Sequence, residues 1–293
     1  MLFGNCASIQ SFFQDDGSLT YMLSETQIQQ FKTTGVLVVP DVVPESLTSK
    51  VIEAILSYTG VELDNPNTWY QPRFAGHGIV PLHHAQALWD IRQHPAVYQV
   101  FASLYQQHAL WVSMDRVSYK PPVSPITQAW RREPLHWDCD PWQFTDQSFQ
   151  GLVYLTDTDV NQGAFCCVPS IFQNLSDYLK VHADSADRRF PKVDPSDLVS
   201  FSGNAGSLVI FNRLMPHTSL QNTSSHHRFV QYVTMQPAVA LEKERQQRIY
   251  EWQNKMPPAW AISQRVPGQD VPEPGGRAEL TRLGEKLVGI VDW

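Results

Sequence analysis

The chain has 293 residues, 42% hydrophobic and 17% charged, with nine Trp, ten Tyr and fourteen Phe, enough apolar material for a sizeable core and too much for a disordered chain. A formal charge of -7 offers no basic face to nucleic acid or an anionic membrane, so neither partner is expected. Cys6, Cys139, Cys166 and Cys167 form no CxxC pair, which argues against a disulfide framework or cysteine zinc site and for a reduced, cytoplasmic setting.

The opening MLFGNCASIQSFFQDDG lacks a basic n-region, and no eighteen-residue apolar stretch occurs, so neither a signal peptide nor a transmembrane span is expected. SETQIQQFKTTG (24–35) predicts a short helix. Ser24 is its N-cap, Gln27 the capping-box partner, Ile28 and Phe31 its apolar pair and Gly35 its stop. VLVVP (36–40) reads as a strand ended by proline, and PESLTSKVIEAILSYTG (44–60) as a second helix with Leu47, Val51, Ile55 and Tyr58 on one face. The long irregular stretch TWYQPRFAGHGIVPLHH (68–84), with Arg73 and His77, is a candidate substrate lid. HPAVYQVFASLYQQ (94–107) predicts a third helix with proline in its first turn.

From Leu110 the texture changes. LWVSMDRVSY, GLVYLTD, AFCCVPS, GSLVIFN and RFVQYVTM are short apolar runs separated by turn residues, the pattern of an antiparallel sandwich or barrel. VALEKERQQRIYEWQ (239–253) returns to helix, 256–276 is rich in Pro and Gly and is expected to run over the surface, and AELTRLGEKLVGIVDW closes with a last helix. A single domain over 1–293 follows: a helical N-terminal flank (about 20–108), a β core (about 109–236) and a helical, Pro-rich C-terminal extension (about 237–293).

EPLHWDCDPW (133–142) concentrates possible metal ligands. On a strand, side chains at i and i+2 share a face, so His136 and Asp138 project together, with Asp140 beside them and Cys139 opposite. One imidazole and one carboxylate are two corners of a 2-His-1-carboxylate site, which suits non-haem Fe(II). The third ligand must come from elsewhere. His77, His83 and His84 lie in a loop, and His226 and His227 at a turn; His217 stands apart, just after the strand GSLVIF and eleven residues before Arg228.

Together these residues resemble the Fe(II)/2-oxoglutarate dioxygenases, and within them the phytanoyl-CoA dioxygenase-like (PhyH) branch that includes ectoine hydroxylase. The family pattern stands here as His136-Trp137-Asp138, His217-Thr218-Ser219, Asn222 and Arg228. SYKPP (118–122), NQGAFCCVPS (161–170) and AGSLVIF (205–211) resemble its Lys-Pro strand, its NGxxxxxPGSH turn and its AGDxxxF strand. The resemblance covers about residues 30–235. It implies a double-stranded β-helix, a cupin-like jelly roll of two antiparallel sheets with N- and C-terminal helices packed outside. It implies Fe(II) held by the catalytic His136, Asp138 and His217, with 2-oxoglutarate and O2 as co-substrates and ascorbate as reductant. Arg228, with its planar fork, and the Ser219 hydroxyl suit the distal carboxylate of 2-oxoglutarate. Arg116 and Lys120 match strand positions that contact 2-oxoglutarate or substrate. Trp142, Phe144, Asp140, Asn222, Arg73 and His77 are candidate substrate contacts.

The sequence departs from the family pattern at Ser170-Ile171-Phe172, where Gly-Ser-His is expected, and at Ser207, where Asp is expected. Both departures lie near substrate. Asp138 is retained, which argues for hydroxylation over halogenation. The expected activity is oxidation of a small polar or amino-acid-derived metabolite in natural-product biosynthesis, for example mycosporine-like amino acid tailoring, with release of succinate and CO2. Dealkylation would follow where the hydroxylated carbon adjoins nitrogen. The expected partner is this small-molecule substrate, and the chain would be a monomer or homodimer. A phytanoyl-CoA-type acyl hydroxylase would call for a basic patch. The rivals from other classes are a cupin-like Zn or Mn hydrolase or isomerase and a non-catalytic jelly-roll binding module.

Overall fold

Strict alternation of side chains along the strands decides which residues meet the helices and which meet a second sheet. The computed structural model describes residues 10–13, 19–70, 78–124, 133–144, 147–185, 187–265 and 269–293. Strands β1 (Gln10–Phe13) and β2 (Leu19–Met22) pair with each other ahead of α1 (Glu25–Thr34). The capping box of α1 is formed: Gln27 N–H donates to Ser24 Oγ at 3.3 Å and Ser24 N–H to Gln27 Oε1 at 2.9 Å. Gly35 ends it in the left-handed region at φ 72°, where a Cβ would lie 2.6 Å from the Phe172 ring.

There follow β3 (Val36–Val39), α2 (Glu45–Thr59), β4 (Ile79–Val80), α3 (Gln86–Arg92) and α4 (Pro95–Tyr105). The β core contributes β5 (Leu110–Val112), β6 (Val117–Lys120), β7 (Phe149–Tyr154), β8 (Phe165–Cys167), the helices α5 (Pro169–Gln173) and α6 (Leu175–Val181), β9 (Val199–Phe201), β10 (Leu208–Asn212), β11 (His217–Ser219) and β12 (Arg228–Pro237). The chain ends with α7 (Glu242–Asn254), α8 (Ala259–Ser263) and α9 (Arg282–Val288).

The larger sheet runs β3-β10-β7-β12-β6-β4, with β5 also on β12, and the smaller runs β11-β8-β9. Their ladders are antiparallel, and neither sheet closes on itself among the described residues. The outward face of the larger sheet, including Leu37, Val39, Val153, Ile210, Phe229 and Val233, packs with helical residues such as Phe31, Val51, Ile55, Phe101 and Leu287. The inward face, with Val36, Leu152, Tyr154, Val209, Phe211 and Val230, meets Phe165 and Cys167 of the smaller sheet. The jelly-roll layers expected from the sequence, with helices outside, are therefore present.

Where described, residues 256–276 run mostly over the surface, as expected, but they carry buried anchor points. Gln269 and Glu273 are buried, and the Glu273 carboxylate accepts the backbone N–H groups of His83 (2.5 Å) and His84 (2.9 Å). The C-terminal extension is thus docked by a buried acceptor on a loop far away in sequence, whose two amides have no strand partner among the described residues.

Candidate metal centre

His136 and His217 face each other across an isolated antiparallel bridge, with His136 N–H donating to His217 O at 3.0 Å and His217 N–H to His136 O at 2.9 Å. The strand expected for the HxD segment is reduced to that one rung, since Asp138 lies in a bend. Other groups keep the segment in place. Trp137 is buried, its indole N–H donating to Leu214 O at 2.8 Å and its backbone N–H to Arg189 O at 3.0 Å. Arg213 donates to the backbone oxygen of Asp138 at 3.2 Å. The two ligand-bearing segments are therefore bound to each other directly.

Both histidines are oriented by carbonyls. Nδ1 of His136 meets Pro134 O at 2.9 Å and Nδ1 of His217 meets Met215 O at 3.0 Å. A carbonyl only accepts, so the neutral rings carry their proton on Nδ1 and turn the Nε2 lone pair outward. Those Nε2 atoms lie 3.4 Å (His136) and 3.7 Å (His217) from the two carboxylate oxygens of Asp138. The ligand atoms of all three side chains are within 4.8 Å of one another.

Burial opposes the charge of Asp138, yet the close approach of His136, the nearby His217 and the Gln150 donor outweigh burial and hold the carboxyl well below the usual range. Burial lowers His217, only partly opposed by Asp138. For His136 burial also acts downward, but Asp138 and Glu133 prevail and raise it. Two imidazole nitrogens and an ionised carboxylate fit a divalent metal with open positions.

The predicted anion-binding residues gather on the inward faces nearby. Arg228 pairs in register with Lys120 across β12 and β6. Its guanidinium is fully buried; Nη1 donates to Ser118 Oγ at 3.3 Å, while Nε and Nη2 have no hydrogen-bond partner among the described residues. Lys120 Nζ donates to Ser219 Oγ at 2.6 Å and to Leu220 O at 2.7 Å. The unsatisfied nitrogens of Arg228 match an acidic ligand such as the distal carboxylate of 2-oxoglutarate. Arg116 goes elsewhere: its guanidinium donates to Gln269 at 2.9 Å and to Gln264, over the Trp260 ring, so the C-terminal extension holds it.

Several predicted substrate contacts have structural partners. Asp140 shapes a turn by accepting the Trp142 N–H at 3.0 Å and lies 3.6 Å from Arg188, apart from the three converging donors. Trp142 packs edge-on to Trp137 and donates to Leu179 O at 3.1 Å, while Phe144 lies under the Arg213 guanidinium. Asn222 is buried in its own turn, donating to Lys120 O and His226 O and accepting from Ser224. Arg73 and His77 lie outside the described residues.

Three residues at the site were not picked out from the sequence. Glu133 Oε1 lies 3.7 Å from His136 Nε2. Tyr232 stands beside Arg116 in the ladder, and burial raises its phenol against the opposing influence of Arg228. Gln150 donates to Asp138 Oδ2 at 2.8 Å. Its signal was a polar residue at an inward position of the otherwise apolar run that ends in Leu152 and Tyr154; Glu133 and Tyr232 gave none.

The family model described as "Phytanoyl-CoA dioxygenase (PhyH)" matches residues 31–230. A Dictyostelium discoideum protein named "Putative phytanoyl-CoA dioxygenase" is 22% identical over 269 residues, covering 74% of this chain and 76% of that protein. Among solved structures, the hypothetical protein JW0805 from Escherichia coli superposes with a TM-score of 0.66 at 15% identity, covering 91% of this chain and 82% of that one. The epimerase SnoN in complex with Fe3+, alpha ketoglutarate and nogalamycin RO superposes with a TM-score of 0.55 at 14% identity, covering 86% and 96%. At these identities the structural likeness is one of fold.

Proposed function

This chain belongs to the phytanoyl-CoA dioxygenase (PhyH) family, and from that premise we propose that it is an Fe(II)- and 2-oxoglutarate-dependent dioxygenase acting on a small polar or amino-acid-derived metabolite. The observation that carries the reading is the convergence of His136, Asp138 and His217 within 4.8 Å. The buried, largely unsatisfied Arg228 supports the co-substrate.

His136 Nε2, the Asp138 carboxylate and His217 Nε2 would hold the iron, and three protein ligands leave positions for co-substrate and oxygen. When bound, iron with 2-oxoglutarate and O2 supplies the oxidising power, the co-substrate leaving as succinate and CO2. Arg228 binds the distal carboxylate of 2-oxoglutarate, with Ser118 fixing one arm of the fork. Lys120 can only donate to Ser219 Oγ, so that oxygen accepts and the Ser219 hydroxyl proton remains available to the same carboxylate. Phe165, Phe211 and Val230 pack between the sheets and keep water from this end of the site.

On the substrate side, Glu133 stands beside His136. A carboxylate there suits an amine-bearing metabolite better than an acyl-CoA, whose phosphates would need several cations. Mycosporine-like amino acids are one class of that description. The test is to incubate the protein with Fe(II), ascorbate, 2-oxoglutarate, O2 and a panel of amino-acid-derived metabolites, and to measure succinate. Formation well above an Asp138→Ala control is expected; succinate no higher than that control across the panel would overturn the reading.

A further inference from the structure

We propose that Gln150 is a positioning residue that ties down one oxygen of Asp138 so that the carboxylate offers the other to the metal; this rests on the reading of His136, Asp138 and His217 as iron ligands. Strand β7 turns Gln150, Leu152 and Tyr154 toward the space between the sheets, where Leu152 and Tyr154 join the apolar cluster. Gln150 instead brings an amide to that face, opposite Phe211 on β10 and Thr234 on β12. Its Nε2 donates to Asp138 Oδ2 at 2.8 Å, and its Oε1 is buried with no hydrogen-bond partner among the described residues. The orientation follows from chemistry, because an ionised carboxylate only accepts and the nitrogen must face it.

An unpaired buried amide oxygen is a net cost to the fold, so an apolar side chain of the same length would serve the core better. What the amide contributes lies on Asp138. Its Oδ1 is 3.4 Å from His136 Nε2 and its Oδ2 3.7 Å from His217 Nε2, so either oxygen, or both, could face a metal. Holding Oδ2 fixes the rotation of the carboxylate about its last bond. It also disfavours a two-oxygen grip, which would occupy a position the co-substrate needs.

Gln150→Met keeps the length and removes the donor. Wild type and variant are titrated with Mn(II) by calorimetry, then with 2-oxoglutarate at saturating Mn(II), while melting of the metal-free proteins is followed in parallel. The expected result is a metal-free Tm equal to or above wild type, Mn(II) affinity weakened roughly ten- to hundredfold, and a further loss of 2-oxoglutarate affinity. Gln150→Leu provides the same comparison if Gln150→Met does not fold. Unchanged Mn(II) affinity in a folded variant overturns the proposal alone. Failure of both variants to fold would make Gln150 a structural residue and overturn it too. A wild-type protein that binds no Mn(II) removes the iron reading itself, and the proposal with it.

Discussion

Arg228→Met is expected to move stability and ligand affinity in opposite directions. In the ligand-free protein the guanidinium is fully buried, its bond to Ser118 is long at 3.3 Å, and two of its nitrogens have no hydrogen-bond partner among the described residues. Each unsatisfied buried donor costs about 1–3 kcal/mol, so two cost roughly 2–6 kcal/mol, against about 1 kcal/mol returned by the Ser118 bond. Methionine keeps most of the apolar stem, and the ligand-free variant should therefore be more stable by about 1–5 kcal/mol in urea unfolding. Truncating one partner of a buried charge pair costs about 2–5 kcal/mol. At about 1.4 kcal/mol per tenfold, 2-oxoglutarate should bind the Mn(II)-loaded variant roughly thirty- to several-thousandfold more weakly. Calorimetric titration reads that loss. A variant that is less stable without ligand and binds 2-oxoglutarate as tightly as wild type would show the arginine to be a core strut, and the co-substrate assignment would fail.

Two other perturbations address the C-terminal extension. Glu273→Ala leaves the buried amides of His83 and His84 without their charged acceptor, at a cost of about 3 kcal/mol in urea unfolding with faster amide exchange in 269–275; a change under about 1 kcal/mol would contradict the docking role. Burial pushes His83 from 6.5 to about 3 and His84 to about 4, against the Met114 and Met256 carbonyls. The unfolded chain therefore takes up these protons first, so stability is complete above about pH 6.5 and is lost as pH falls toward 4 and 3. Each histidine contributes a slope of about 1.4 kcal/mol per pH unit in that window, and a His83→Gln, His84→Gln double variant with the wild-type slope between pH 6 and 5 would refute it.

The sequence was most legible where the signal is local. Ser24, Gln27 and Gly35 bound α1 through contacts three or four residues long, and the short apolar runs of β7, β10 and β12, set off by turn residues, read as strands and are buried on both faces. His136, Asp138 and His217 could be selected as candidates by spacing, although the strand argument for the first two does not describe their backbone. A bend and contacts with Arg213, Leu214 and Arg189 place Asp138 instead, and none of these is near it in sequence. The same limit explains Arg116. Its strand face was readable, but its partners Gln264 and Gln269 come from a segment without periodicity. Asp140, Trp142 and Asn222 were drawn toward substrate by their proximity to motif residues, whereas turn and packing contacts already occupy their polar atoms.

The single rung between His136 and His217 also ties metal loading to the folding route. It joins segments far apart in the chain, so its closure entropy is paid only once the larger sheet has brought them together. Before that moment His136 and Asp138 form an incomplete chelate in one short loop, with little hold on a divalent ion. Once the rung closes, the free energy of metal capture acts on the same two backbone hydrogen bonds. Iron would then work as a latch on a long-range contact, and a chain that stalls before its closure is left unable to sequester a redox-active ion.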